Sequence, residues 1–166
     1  MAKEKCYRVT RNSRKVALIL RCPEFRLIGA NKRFIRTELK LGTGRAYYSL
    51  KKPGGAMALA RAEDFPEDFR SVMSDISMFV QLSPDLTHIV LMSHEDCRRY
   101  DAIVDRTKPQ AHVERTDLLR AAKVLSDIFP HLQIGAYYCR FKGKKMGSAY
   151  FETVFETNKE TALRQP

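Results

Sequence analysis

The chain has four cysteines and four histidines in 166 residues, and one of each falls in the stretch HEDC, at His94 and Cys97. Thiolate sulfur and imidazole nitrogen are the donors that zinc and similar divalent ions prefer. An HxxC pair is only part of a site. Cys22 supplies a third donor, because in LILRCPEFR it also stands where an apolar run ends. Two thiolates and one imidazole neutralise Zn²⁺ and leave one tetrahedral position for water, the ligand count of a catalytic zinc. Zinc lowers the pKa of such a water to about 7, giving a hydroxide nucleophile at neutral pH. Glu24 and Arg26 follow Cys22 at two-residue spacing, so one loop delivers a carboxylate and a guanidinium to the same centre. Paired with Arg26, Glu24 would stay charged and orient that water through a hydrogen bond.

For these side chains to meet, the strands that precede them must be neighbours. KVALILR, residues 15–21, is a nearly continuous apolar run of the kind expected for a strand covered on both faces, and Pro23 ends its pairing. Phe25, Ile28, Phe34, Ile35 and Leu39 predict a basic amphipathic helix over 25–41, closed by GTG. Residues 45–52 read as a second strand, and PGG at 53–55 as a loop that lets backbone approach a neighbour closely. Val72, Ile76, Phe79 and Val80 predict a helix over 69–82, with Pro66 and acids near its start. THIVLMS, 87–93, is the third strand. A polar stretch to about Arg115 then precedes a helix over 116–128 capped by Thr116, with Leu118, Leu119, Ala122 and Leu125 on one face. LQIGAYYCRF, 132–141, is a fourth strand, turned by KGKKMG into an antiparallel edge partner, SAYFETVF. The alternation predicts one α/β domain over 1–166: a mostly parallel central sheet flanked by helices, with an antiparallel edge hairpin and peripheral segments at 1–13 and 156–166. In such sheets ligands collect beyond the carboxyl ends of strands, where the strand order reverses.

Composition bounds the function. The hydrophobic fraction of 44% is ordinary for a globular chain, and no stretch reaches the ~18 apolar residues of a membrane span. The basic N-terminus lacks the apolar core of a secretory signal, which predicts a cytoplasmic protein. Scarce, widely spaced cysteines fit thiols or metal ligands better than a disulfide framework, and Cys6 and Cys139 read as ordinary thiols. Thirty basic residues against nineteen acids give a net charge of +11, which attracts polyanions at low salt. The cations are scattered, so a solvated basic surface is favoured over a nucleic-acid partner.

The motifs together resemble the β-class carbonic anhydrases. A CxDxR motif at the end of the first strand, a later HxxC at the end of another, and a Gly-containing loop between them mark that family. Here they read as Cys22, Glu24 and Arg26 in CPEFR, and His94 and Cys97 in HIVLMSHEDC. The resemblance runs from about Lys15 to Val154. It implies one zinc ion on Cys22, His94 and Cys97, an orienting dyad of Glu24 with Arg26, and a homodimeric lyase in which a metal-bound hydroxide hydrates CO₂ to bicarbonate. Phe25 and Tyr48 are candidates for the pocket wall or for core packing.

The chain departs from the pattern in three places. Glu24 replaces the family aspartate and is one methylene longer, so it either gates the metal's fourth position or fills it. Pro23 stiffens the loop, and Arg98 replaces the glycine after the second cysteine, either crowding the site or pointing to solvent. Two alternatives therefore stand beside CO₂ hydration: a catalytically impaired zinc homologue that binds an anionic partner such as nucleic acid, or a hydrolase of the CO₂ analogues COS or CS₂. Glu95 and Asp96 read as a solvated turn, with Arg98 or Arg99 as partners. His88 is placed in a strand, and His112 and His131 on the surface.

Overall fold

Ala17, Leu18, Ile19 and Leu20 are all fully buried, which a strand permits only when both of its faces are covered. They belong to β1 (Arg14–Arg21), an interior strand of a five-stranded sheet. The computed structural model describes residues 14–42, 45–104, 109–142 and 148–157. The segments 1–13 and 158–166, Cys6 and the turn at 143–147 lie outside the described residues. After β1 come a 3₁₀ turn (Phe25–Leu27), α1 (Ile28–Thr37), β2 (Arg45–Lys51), α2 (Met57–Ala60) and α3 (Pro66–Leu82). Then follow β3 (His88–His94), α4 (Gln110–Ile128), β4 (Gln133–Lys142) and β5 (Ser148–Glu156).

The sheet order is β2-β1-β3-β4-β5, parallel except for β5, which pairs antiparallel with β4 at the edge. The fold is thus the mostly parallel α/β sheet with an antiparallel edge pair that the sequence predicts. From β1 the chain moves outward to β2, then crosses back over β1 to β3. Right-handed crossovers in opposite directions put their helices on opposite faces of the sheet. Alternate residues serve the two faces. Leu18, Leu20, Ile89, Leu91, Ile134 and Ala136 pack against α2, α3 and α4, while Ala17, Ile19, Val90 and Met92 pack on the α1 side with Ile35 and Leu41. Among the described residues no helix is long and apolar enough to cross a membrane.

Several boundaries differ from the sequence reading. The helix predicted over 25–41 is a 3₁₀ turn followed by α1, which stops at Thr37. The short α2 has no counterpart in the sequence reading, because one turn is too brief to display a helical period. The largest difference is α4, which starts at Gln110 with Pro109 just before it, so Thr116 is not a cap. Its hydroxyl instead donates to the His112 carbonyl oxygen one turn back (2.8 Å).

Candidate metal centre

β1 and β3 are hydrogen-bonded neighbours, with Arg21 opposite Met92. Cys22 leaves the end of β1 and His94 is the last residue of β3, so both stand at the carboxyl edge where the strand order reverses. Cys97 returns to the same edge from the loop after β3. The Pro53–Gly55 turn closes over them. Gly55 has φ +59°, and a Cβ there would meet the Met92 carbonyl oxygen at 3.0 Å and the Cys22 nitrogen at 3.3 Å. Only glycine lets backbone lie that close in that conformation.

The Cys22, His94 and Cys97 ligand atoms lie within 4.8 Å of one another. The two sulfurs are 3.9 Å apart, against about 3.8 Å for the edge of a zinc tetrahedron with ~2.3 Å bonds to sulfur. His94 Nδ1 donates to the Glu95 carbonyl oxygen (2.9 Å), which fixes the tautomer and leaves Nε2 as the acceptor. Nε2 is buried and has no hydrogen-bond partner among the described residues. A buried lone pair costs free energy unless something binds it. The hydrogen bond from Cys97 pulls the Cys22 thiol down to about 4 against the effect of burial, with His94 and the Gly54 backbone helping, and the same contact pushes Cys97 up. Two sulfurs sharing one proton suit a dication, which removes that proton outright. The donor set, its spacing and the orphaned nitrogen all fit zinc.

Glu24 and Arg26 meet as a two-pronged pair. Arg26 Nε donates to Oε1 (2.9 Å) and Nη2 to Oε2 (3.0 Å), while the Arg26 backbone N–H also reaches Oε1 (3.0 Å). These bonds hold the Glu24 carboxyl at about 2, against the effect of its partial burial. The longer side chain is therefore folded back onto its own loop. Arg26 reaches further, donating through Nη1 to Asp96 Oδ2 (3.1 Å) and through Nη2 to the Asp96 carbonyl oxygen (3.3 Å). Its guanidinium also sits over the Phe141 ring, 4.9 Å from the centroid. One cation thus ties the Cys22 loop to the HxxC loop.

The remaining candidates fall elsewhere. Phe25 is 78% exposed, so it is neither core nor an enclosed wall in this chain. Tyr48 packs against Phe79, and its hydroxyl shares a 2.7 Å hydrogen bond with Ser83, which places it in the α3 layer. Arg98 is exposed and Arg99 pairs with Asp68 (3.0 Å), so neither partners the acids of the turn. Asp96 binds Arg26, and Glu95 accepts from the Phe141 backbone N–H and from Arg140. His88 lies in β3, its Nδ1 2.7 Å from the Thr87 hydroxyl, while His112 and His131 are exposed. Cys139 is buried in β4 outside the cluster, and burial pushes its thiol up to about 12.

Sequence reasoning missed Glu114, which is wholly buried beneath the cluster. It accepts from the Cys97 backbone N–H (3.0 Å), from Gln110 Nε2 (2.9 Å) and from the Tyr138 hydroxyl. Burial pushes its carboxyl up, and those three bonds oppose the shift. The available signal was Gln110 and Glu114 at i, i+4, one turn apart on a helix face, but it disappears once the helix is started at Thr116.

The amino-acid sequence matches no family model and no curated protein. Its three-dimensional structure does match solved ones. It is similar to one of two tetrameric β-carbonic anhydrases from the filamentous ascomycete Sordaria macrospora (TM-score 0.55, 13% identity, 89% of this chain and 84% of that one). It is likewise similar to β-carbonic anhydrase isoform I of Trichomonas vaginalis (0.53, 11%, 92% and 88%). A β-carbonic anhydrase of the fungal pathogen Aspergillus fumigatus aligns as well (0.53, 13%, 92% and 81%). Sequences this far apart share architecture over nearly their whole length, and the architecture of this chain is the β-carbonic anhydrase fold.

Proposed function

We propose that this chain is a zinc-dependent lyase of the carbonic anhydrase type, interconverting CO₂ and bicarbonate. The observation that carries the reading is the convergence of Cys22, His94 and Cys97 at the strand ends, with the Glu24 carboxylate held by Arg26 on the loop that follows Cys22. Zinc held there would supply a nucleophile from water at neutral pH. The residues of the chain provide the rest. The Glu95 carbonyl oxygen keeps the His94 proton on Nδ1. Arg26 keeps Glu24 ionised, so that its carboxylate accepts a hydrogen bond from a reacting water and aims a lone pair at CO₂. The overall reaction is CO₂ plus water giving bicarbonate plus a proton. The Arg26 grip also supports the open site over one that Glu24 fills. Exposed Phe25 and Ile28 beside the centre support a homodimer.

Stopped-flow CO₂ hydration by zinc-loaded protein tests the activity. Catalysis above buffer across pH 6 to 9, lost in Cys22→Ser, is expected. A zinc-loaded chain no faster than buffer would eliminate this reading and leave the fold in other use.

A further inference from the structure

Glu114 has no exposed surface, and among the described residues no ion pair holds it. Burying a carboxylate is costly, and an apolar side chain would pack as well at lower cost. Its hydrogen bonds indicate what it does. The Cys97 backbone N–H donates to Oε1, and Gln110 Nε2 donates both to that oxygen and to the Cys97 carbonyl oxygen (3.1 Å). Both polar backbone atoms of Cys97 are thus clasped from the first turns of α4. Tyr138, on β4, donates to the other carboxylate oxygen and locks the clasp to the sheet. Cys97 itself sits on an irregular loop, without strand pairing to fix it.

We infer that Glu114, acting with Gln110, is a positioning residue that sets the Cys97 sulfur against Cys22 and His94. The inference rests on the metal centre proposed above. Partners one bond removed from a metal ligand orient it and tune it, and losing one typically weakens metal binding by about 10- to 100-fold. A negative charge beside Cys97 also makes its sulfur more electron-rich, so a cobalt-substituted site should report its removal optically.

The test uses metal-free native chain, Glu114→Gln and Gln110→Ala under reducing conditions. Each is titrated with Co²⁺, then with Zn²⁺ against a chromophoric chelator, and its metal-free unfolding midpoint is measured. The native chain should take up one ion with a thiolate-to-cobalt band. Glu114→Gln should bind Zn²⁺ about 10- to 100-fold more weakly, with that band moved to shorter wavelength. Gln110→Ala should bind more weakly too, with its metal-free midpoint unchanged. Native affinity and an unmoved band in Gln110→Ala, and in Glu114→Gln if it folds, would overturn the inference. So would affinity losses no larger than the loss of metal-free stability. A native chain that takes up neither ion fails differently, removing the metal centre itself.

Discussion

Arg26 engages both oxygens of Glu24 and reaches across to Asp96, so a single guanidinium sets the charge of one acid and the position of a loop. Because the folded carboxyl lies near 2 instead of its ordinary 4.5, the pair stabilises the fold fully above about pH 4.5, and that contribution fades as pH falls through about 2. Carbon-detected NMR of the Glu24 carboxyl should therefore show it still ionised at pH 3. In Arg26→Ala its midpoint should return toward 4.5. A midpoint that stays near 2 without Arg26 would show that another donor holds the acid. The three metal-ligand candidates were legible because each follows an apolar strand. The partners of Asp96 and Glu114 were not, since their bonds join residues 70 and 17 positions apart, and no local spacing records such a meeting.

The strands were easy to read because burial on both faces leaves long apolar runs. The start of α4 was hard for a chemical reason. Its buried face includes Glu114 and Asp117 beside Leu118, Ala121, Ala122 and Leu125, so the hydrophobic period fades where the helix meets the Cys22, His94 and Cys97 cluster. The Pro53–Gly55 turn gives the element-level prediction. Gly55→Ala forces a Cβ to 3.0 Å from the Met92 carbonyl oxygen at a positive φ, a conformation that costs an L residue about 1–2 kcal/mol before any clash. Its unfolding midpoint should drop by about 5 °C, at roughly 2–4 °C per kcal/mol for a chain of this size, and metal uptake should weaken. Gly29→Ala in α1 has nothing within 4 Å and should gain up to ~1 kcal/mol. Equal calorimetric midpoints for the two variants would refute this account of the turn.

The two faces of the sheet are covered unequally. Three helices pack on one, whereas among the described residues α1 alone packs on the other, leaving a groove of about 800 Å³ lined in part by Phe34, Tyr137 and Phe151 and one of about 600 Å³ lined in part by Leu39, Leu41 and Tyr137. Neither groove includes Cys22, His94 or Cys97. Phe25 and Ile28, 78% and 62% exposed, stand at the start of this face beside the Glu24 loop. Large exposed apolar side chains grouped in this way mark contact surfaces. Sedimentation should accordingly find a dimer, and Phe25→Glu with Ile28→Glu should shift it to monomer. A native chain that sediments as a monomer at micromolar concentration would remove self-association from the proposal.

The sulfurs of Cys22 and Cys97 come from positions 75 residues apart. An ion gripping both would act as a removable crosslink around nearly half of the polypeptide. By loop-closure arithmetic, a tether of that length takes about 4 kcal/mol of entropy from the unfolded chain for as long as both ends hold. The same sulfurs would then also fasten the ends of β1 and β3 to each other.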